Sequence, residues 1–325
     1  TLLRLTTRVQ FVRGEARARL RAENRRFIYA FWHQRQVFFT VTHRGDNFTA
    51  SLQIRPRLND FHDAIARIPE AQLEFPLQQL ADMPIYYESQ TAGGQLERLY
   101  ESSSTNPSYS AFRFDTRHAL SLTRKLWFLN FVPRIAARGT YYSATQPSGA
   151  AGGDAATRAM FEAGAQLSFK MFRIYGQTDD NGSGLRHVAE PYANYTYVPE
   201  PNLAPDDLHN FDDVDALGGQ NRLRLGVRNK LQVKRNGRPF DLVDLNTWVD
   251  GDFDADPDES TFAFLYMDSR IRPWDGVRID CDGTFSLDGG TPERVSAHLI
   301  VSASAAVSTD MEYRFRRNDS SLVSG

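Results

Sequence analysis

The tightest constraint on this chain is an alternation of apolar and charged residues with a period of two. Between positions 222 and 234, Leu223, Leu225, Val227, Leu231 and Val233 share one parity, while Arg222, Arg224, Arg228, Lys230, Gln232 and Lys234 share the other. On a helix those cations would be spread around the whole circumference, whereas on a strand they fall on one face. This stretch is therefore read as a strand with a cationic and an apolar side. Positions 294–308 repeat the pattern, with Val295, Ala297, Leu299, Val301, Ala303, Ala305 and Val307 opposite Arg294, Ser296, His298, Ser302, Ser304 and Ser308. So do Phe161, Ala163, Ala165, Leu167 and Phe169 against Glu162, Gly164, Gln166, Ser168 and Lys170. Aromatic and β-branched content adds strands at 73–77, 112–122, 127–142, 192–198 and 262–266. The Ala/Arg/Glu run at 15–22 alternates too, but its composition would equally suit a helix.

Turn chemistry separates these runs: 179–184, Asn236-Gly237, Asp282-Gly283 and 288–290. Asn-Gly between two alternating runs is a hairpin signal. Stretches 147–156, 199–219 and 250–260 read as long loops, and 59–68 as a short loop helix. At ~10 residues per spanning strand plus a turn, the spacing predicts roughly 12 to 16 strands.

No run of about 18 apolar residues occurs, which excludes a spanning helix and leaves a closed barrel as the route into a membrane. Composition favours that route. The chain holds 22 Phe and 13 Tyr although only 41% of its residues are hydrophobic, as expected where apolar and aromatic residues face lipid and polar ones face a lumen. Tyr195, Tyr197, Trp127, Trp248 and Trp274 are assigned to aromatic girdles at the two interfaces. A net charge of −2 gives no reason to expect nucleic acid as a partner. Cys281 is the sole cysteine, so no internal disulfide or zinc spacing arises. The first residues carry no signal-peptide pattern.

Candidate chemistry is sparse. The Arg222, Arg224, Arg228 and Lys230 face could hold phosphates and carboxylates, since guanidinium groups offer bidentate geometry. The better reading is a hydrated lumen wall neutralised by acidic neighbours such as Asp241 and Asp244. Asp250, Asp252, Asp254, Asp256 and Asp258 stand at alternate positions like the start of a calcium loop, but Pro257 occupies the place of the sixth-position glycine, so a solvated acidic loop is the better reading. His118 with Ser121, or His187 with Glu190, lacks any nucleophile elbow. No catalytic, metal or cofactor site is expected, and the chain is not read as an enzyme.

One ordered set of residues goes further than pattern. Leu185 through Glu190-Pro191 leads into the aromatic run containing Tyr195 and Tyr197, which ends in Val198-Pro199; Asn210-Phe211-Asp212 follows in the loop; then come Gly218-Gly219 and Asn221-Arg222-Leu223 through Gly226 to Leu231. These motifs resemble the barrel of the LptD family, and segments from about 41 to 317 agree in order. The resemblance implies an all-β, transmembrane antiparallel barrel in the outer membrane of a Gram-negative-type bacterium. It implies lipopolysaccharide assembly at the outer leaflet by non-catalytic passage through a lumen and a lateral gate. It also implies lipopolysaccharide and outer-membrane lipid as contacts, an LptE-like plug lipoprotein, and an LptA-like periplasmic bridge docking on an N-terminal β-jellyroll. Residues 1–325 are expected to be an internal piece of that barrel, without the jellyroll or the closing strands that form the gate. The rivals are a porin or small-solute receptor, a barrel enzyme, and a soluble β-protein.

Overall fold

In the computed structural model, residues 2–6, 27–33, 36–145, 153–176, 184–235, 237–255, 260–302 and 308–317 are described. The run at 15–22 lies outside them. The strands are β1 (Leu2–Thr6), β2 (Phe27–His33), β3 (Gln36–Arg44), β4 (Thr49–Arg55), β5 (Ala64–Gln79), β6 (Ile85–Leu99), β7 (Tyr109–Leu122), β8 (Arg124–Leu126) and β9 (Leu129–Tyr142). They continue as β10 (Ala156–Ser168), β11 (Met171–Tyr175), β12 (Leu185–Val198), β13 (Gln220–Arg235), β14 (Arg238–Asp252), β15 (Phe264–Ile271), β16 (Val277–Ser286), β17 (Pro292–Ser302) and β18 (Ser308–Arg316).

Every pairing among the described residues is antiparallel, and each joins neighbours in the chain apart from β1–β18, β7–β9 and β10–β12. No pairing joins β1 to β2 among the described residues, so the sheet is an open wall. Its eighteen segments form sixteen staves, because β7 and β8 share the partner β9 while β10 and β11 share β12.

Proline explains both interruptions. One register runs unbroken from Ser121↔Arg134 to Arg124↔Phe131, and the break at Thr123 falls opposite Val132, directly after the Leu122 position that faces Pro133. Likewise Ser168↔Tyr192 and Met171↔Ala189 belong to one register, with Phe169 opposite Pro191. Each proline withholds one ladder donor, so the neighbouring stave loses its strand geometry for a residue or two and then resumes. Pro191 itself stands in the middle of β12, and its register with β13 passes through Pro191↔Val227 without a shift. Pro69 and Pro76 behave as the rule predicts, at register shifts of β5 against β6.

The two faces differ in kind. On β7, Phe112, Phe114 and Leu120 lie exposed on one side while Arg113, Asp115 and Arg117 occupy the other. Ile135, Phe161, Leu167 and Leu225 extend the apolar side across the neighbouring staves. Among the described residues no second layer covers these side chains, and the buried apolar cluster is formed by Leu96, Ala111 and Phe211. Such a wall is stable where its apolar face meets lipid and its polar face meets water, which is the membrane-barrel arrangement. Connections also sort by end. Loops 56–63, 100–108 and 199–219 lie at one end, from which β9 and β14 also lead out, and the tight turns 45–48, 80–84, 127–128 and 272–276 at the other.

Four local expectations are corrected. Residues 59–68 form no helix: the loop runs to Asp63, and β5 takes over at Ala64, where Ala66 is buried and Pro69 bars a helical interior. Asp282-Gly283 is no turn but lies inside β16, where the Phe285 ring covers Gly283. Asp250 and Asp252 belong to β14 rather than to a loop, while Asp256 and Asp258 lie outside the described residues. Trp248 is no girdle residue; it stands on the polar face, stacked on Tyr266 at 5.5 Å.

Candidate functional site, a loop strapped across the polar face

The connection between β12 and β13, residues 199–219, folds back against the polar face instead of extending into solvent. A 3₁₀ turn at Pro205–Asp207 aims the following residues at the wall, where Leu208, His209, Phe211 and Asp215 are buried. Phe211 packs on Leu96 of β6 and Ala111 of β7. The His209 ring stacks on Tyr109 at 4.2 Å, and the Tyr109 hydroxyl donates to the Asn210 carbonyl at 3.0 Å. Asn202 imitates a ladder residue, accepting from the Ala159 N–H and donating to the Thr157 carbonyl.

Two carboxylates fasten this apolar anchor. Asp212 accepts both Nη atoms of Arg113 at 2.7 Å and Nη2 of Arg67 at 2.8 Å. Asp215, whose side chain has no exposure, accepts from Arg113 Nη1 at 2.8 Å, from the Tyr142 hydroxyl at 2.9 Å and from the Phe211 N–H at 2.8 Å. Arg158, fully buried on β10, donates to the Val214 and Asp215 carbonyls. The cations come from β5, β7 and β10 and the carboxylates from a single loop, so the contacts hold five staves in register as well as the loop in place. Charges taken this far from water persist when paired and hydrogen-bonded, as Arg113 is by Asp212 and Asp215, whereas Arg158 keeps its Nε and Nη2 without a partner among the described residues. Beneath the loop lies a cavity of about 380 Å³ bordered by Glu70, Glu74, Gln90, Asp115, Arg138 and Asp213. Further along the wall, Glu162 accepts from Arg117 and Arg134, and Arg134 reaches Asn194 on β12.

Burial pushes the Asp212 carboxyl up, but the hydrogen bonds and charge of Arg113 and the charge of Arg67 more than offset it, leaving the group below the ordinary carboxylate range. A depressed folded value contributes stability that is complete above the unfolded value of about 3.9 and is lost as pH falls through the folded one. The strap should therefore hold from pH 7 to pH 5 and release only below about pH 4. Conductance of the protein in a planar bilayer, followed against pH, checks this; a rise already at pH 5.5 would contradict it.

The residues singled out in the sequence frame this loop rather than form it. Glu190, Pro191, Tyr195 and Tyr197 lie on the stave entering it and Pro199 at its first position; Gly219 closes it, and Asn221, Arg222, Arg224, Gly226, Arg228 and Lys230 lie on the stave leaving it. Tyr195 and Tyr197 are on the apolar face, where the Tyr195 hydroxyl donates to Asn221. The cationic face of β13 meets acids across the ladder. Arg224 donates through two nitrogens to Asp250 at 2.7 and 2.8 Å and lies over the Trp248 ring. Arg228 reaches Glu190 at 3.2 Å and covers Tyr192, and Lys230 sits 2.9 Å from Asp244 and 3.5 Å from Asp241. Arg222 lies against the Gln220 side chain. His118 and Ser121, like His187 and Glu190, are three apart on one strand and so point to opposite faces.

Gly226 has a steric reason. A Cβ there would stand 2.6 Å from the Tyr192 ring and 2.8 Å from the Thr247 carbonyl, and the ring is fixed by its hydroxyl bond to Asn246. Gly226→Val should cost about 1–3 kcal/mol through overpacking. Urea unfolding in detergent measures it, and an unchanged midpoint would refute the steric account.

Sequence reasoning placed Asn210-Phe211-Asp212 in the loop but missed Asp215, its partners Arg113, Tyr142 and Arg158, and the Arg67 partner of Asp212. One signal was present: in Phe112-Arg113-Phe114-Asp115 two charges alternate with two aromatics, which marks an inward charged pair. The partners lie 57 to 145 residues from the loop aspartates they meet, beyond the reach of any local pattern.

A search of curated proteins found no match. The family model for LptD, described as LPS transport system D, matches residues 28–323, nearly the whole chain. With a sixteen-stave wall, apolar outside and charged inside, the match means that this chain belongs to the LptD family of outer-membrane lipopolysaccharide-transport proteins.

Proposed function

We propose that the polar face of this wall guides the saccharide and phosphates of lipopolysaccharide toward the long-loop end, and that the 199–219 loop closes that end between passages. The long-loop end faces the exterior and the tight turns the periplasm, as in bacterial outer-membrane barrels generally. Acyl chains leave sideways through a strand seam into the outer leaflet, no bond is made or broken, and the chain is no enzyme. A plug lipoprotein similar to LptE occupies the lumen, and a bridge similar to LptA delivers substrate through a domain upstream.

The observation that carries this reading is the segregation of charge, with cations and acids in cross-strand pairs on one face and bare apolar side chains on the other. Paired charges suit passage better than capture. A headgroup phosphate exchanges with Asp250 or Glu190 for the same guanidinium instead of sinking into an unopposed positive well. Cells depending on the Arg224→Glu/Arg228→Glu variant should display several-fold less newly made lipopolysaccharide to an impermeant saccharide-labelling reagent. Normal display by a correctly folded variant would sink the proposal. Solute conductance without copurifying lipopolysaccharide would favour a porin.

A further inference from the structure

At the tight-turn end one hairpin outruns its neighbour. The β9–β10 ladder stops at Asn130↔Ser168, because β8 and β9 turn back at Trp127 and Phe128, yet β11 continues against β12 for five more residues. That is about 16 Å of strand at ~3.3 Å per residue. Among the described residues β11 pairs with β12 alone, so its other edge is open.

The register tells which groups that edge offers. Phe169 N–H donates to the Pro191 carbonyl at 3.3 Å, in the same register as Met171↔Ala189, Arg173↔His187 and Tyr175↔Leu185. Antiparallel ladders alternate. Met171, Arg173 and Tyr175 therefore bond to β12, and the N–H and C=O of Phe172 and Ile174 point outward. An open edge is not tolerated in hydrocarbon, so this hairpin stands in water beyond the bilayer. There its side chains are anomalous: all five residues are exposed, and only Arg173 is charged. Water-exposed edges are ordinarily blunted by proline, bulges, extra charge or brevity, and β11 has little of that protection.

The surroundings indicate what covers it. Arg124, Lys125, Lys170, Arg173 and Arg186 are all exposed around the edge. Lys170 alone is paired with an acid among the described residues, at 3.4 Å from a Glu190 that it shares with Arg228. Arg186 lies over the Phe172 ring and Arg173 over Tyr175. Asp179 and Asp180, in the connection from β11 to β12, fall outside the described residues.

We propose that the open edge of β11 is a docking site for an extended, acidic segment of another protein at the tight-turn end, added as a further strand. The main chain of Phe172 and Ile174 would supply the ladder bonds, the Phe172 and Ile174 side chains the apolar contact, and the cations the preference for acid. The inference concerns a different surface from the lumen face and does not depend on the transport reading.

The test uses the full-length protein in detergent and two capped ten-residue peptides, one alternating Val with Glu and the other Val with Lys. The Glu peptide should bind saturably by fluorescence anisotropy and slow amide exchange across 171–175, and the Lys peptide should not. Ile174→Pro removes an outward donor without touching the β12 ladder, a position where strands tolerate proline, and should weaken binding about tenfold or more. If that variant misfolds, as judged by heat-modifiable gel migration, Lys170→Glu/Arg173→Glu decides instead and should reverse the peptide preference. Equal binding to the Pro variant, or no preference for the Glu peptide, overturns the proposal. So does protection of 171–175 by phosphatidylglycerol vesicles but not by peptide, which would assign the edge to a membrane surface.

Discussion

Asp215→Ala should free the 199–219 loop and lower the unfolding free energy by about 3–5 kcal/mol, the cost of stripping one partner from a buried ion pair. The carboxylate serves Arg113, the Tyr142 hydroxyl and the Phe211 and Asp212 N–H groups at once, with its side chain fully out of water. Removing it leaves the Tyr142 hydroxyl and the Phe211 N–H without an acceptor and leaves Arg113 to Asp212 alone. Asp215→Asn keeps the shape but not the charge and should fall between wild type and Ala. Protease cleavage within 199–219 and urea unfolding in detergent report the two consequences separately. A double-mutant cycle with Tyr142→Phe sharpens the result. That change alone should cost about 1 kcal/mol, and almost nothing once Asp215 is gone. A loop that stays protease-resistant in Asp215→Ala would show that the carboxylate is not its fastening.

The wall was more legible in the sequence than the strap, for a physical reason. Strand periodicity is local, so Leu223 and Arg224 declare their faces within two residues, and the same alternation separates Phe112 from Arg113. Family resemblance then added the frame of the loop, from Glu190-Pro191 to Gly226. It placed Phe211 and Asp212 in a long loop, but nothing local shows that a loop folds inward. That outcome depends on Arg113, Arg67 and Arg158, whose staves join the loop only when the sheet curves. The misplaced Trp248 has the same origin. Its polar-face position follows from Trp248↔Gly226 in the β13–β14 ladder, and a β-bulge at Leu231/Gln232 makes counting from the Asn236-Gly237 turn unreliable. Composition assigned Trp248 to a girdle, whereas register assigns it to the face of Arg224.

The apolar anchor gives the second large effect. Phe211→Ala removes the largest apolar side chain fully buried on the polar side of the wall, opening a cavity between Leu96 and Ala111 and unseating His209 from Tyr109. The expected cost is about 3–5 kcal/mol, with Phe211→Leu recovering most of it because apolar volume is largely kept. Phe211→Ala costs about as much as Asp215→Ala, so it too should release the loop at neutral pH and abolish the acid-dependent step in conductance. Both changes act on the same equilibrium between a seated and a released loop, so their combination should cost clearly less than the sum of the two. Strict additivity in urea unfolding would mean that Phe211 and Asp215 stabilise the wall independently, and the loop would then lose its standing as one cooperative closure of the long-loop end.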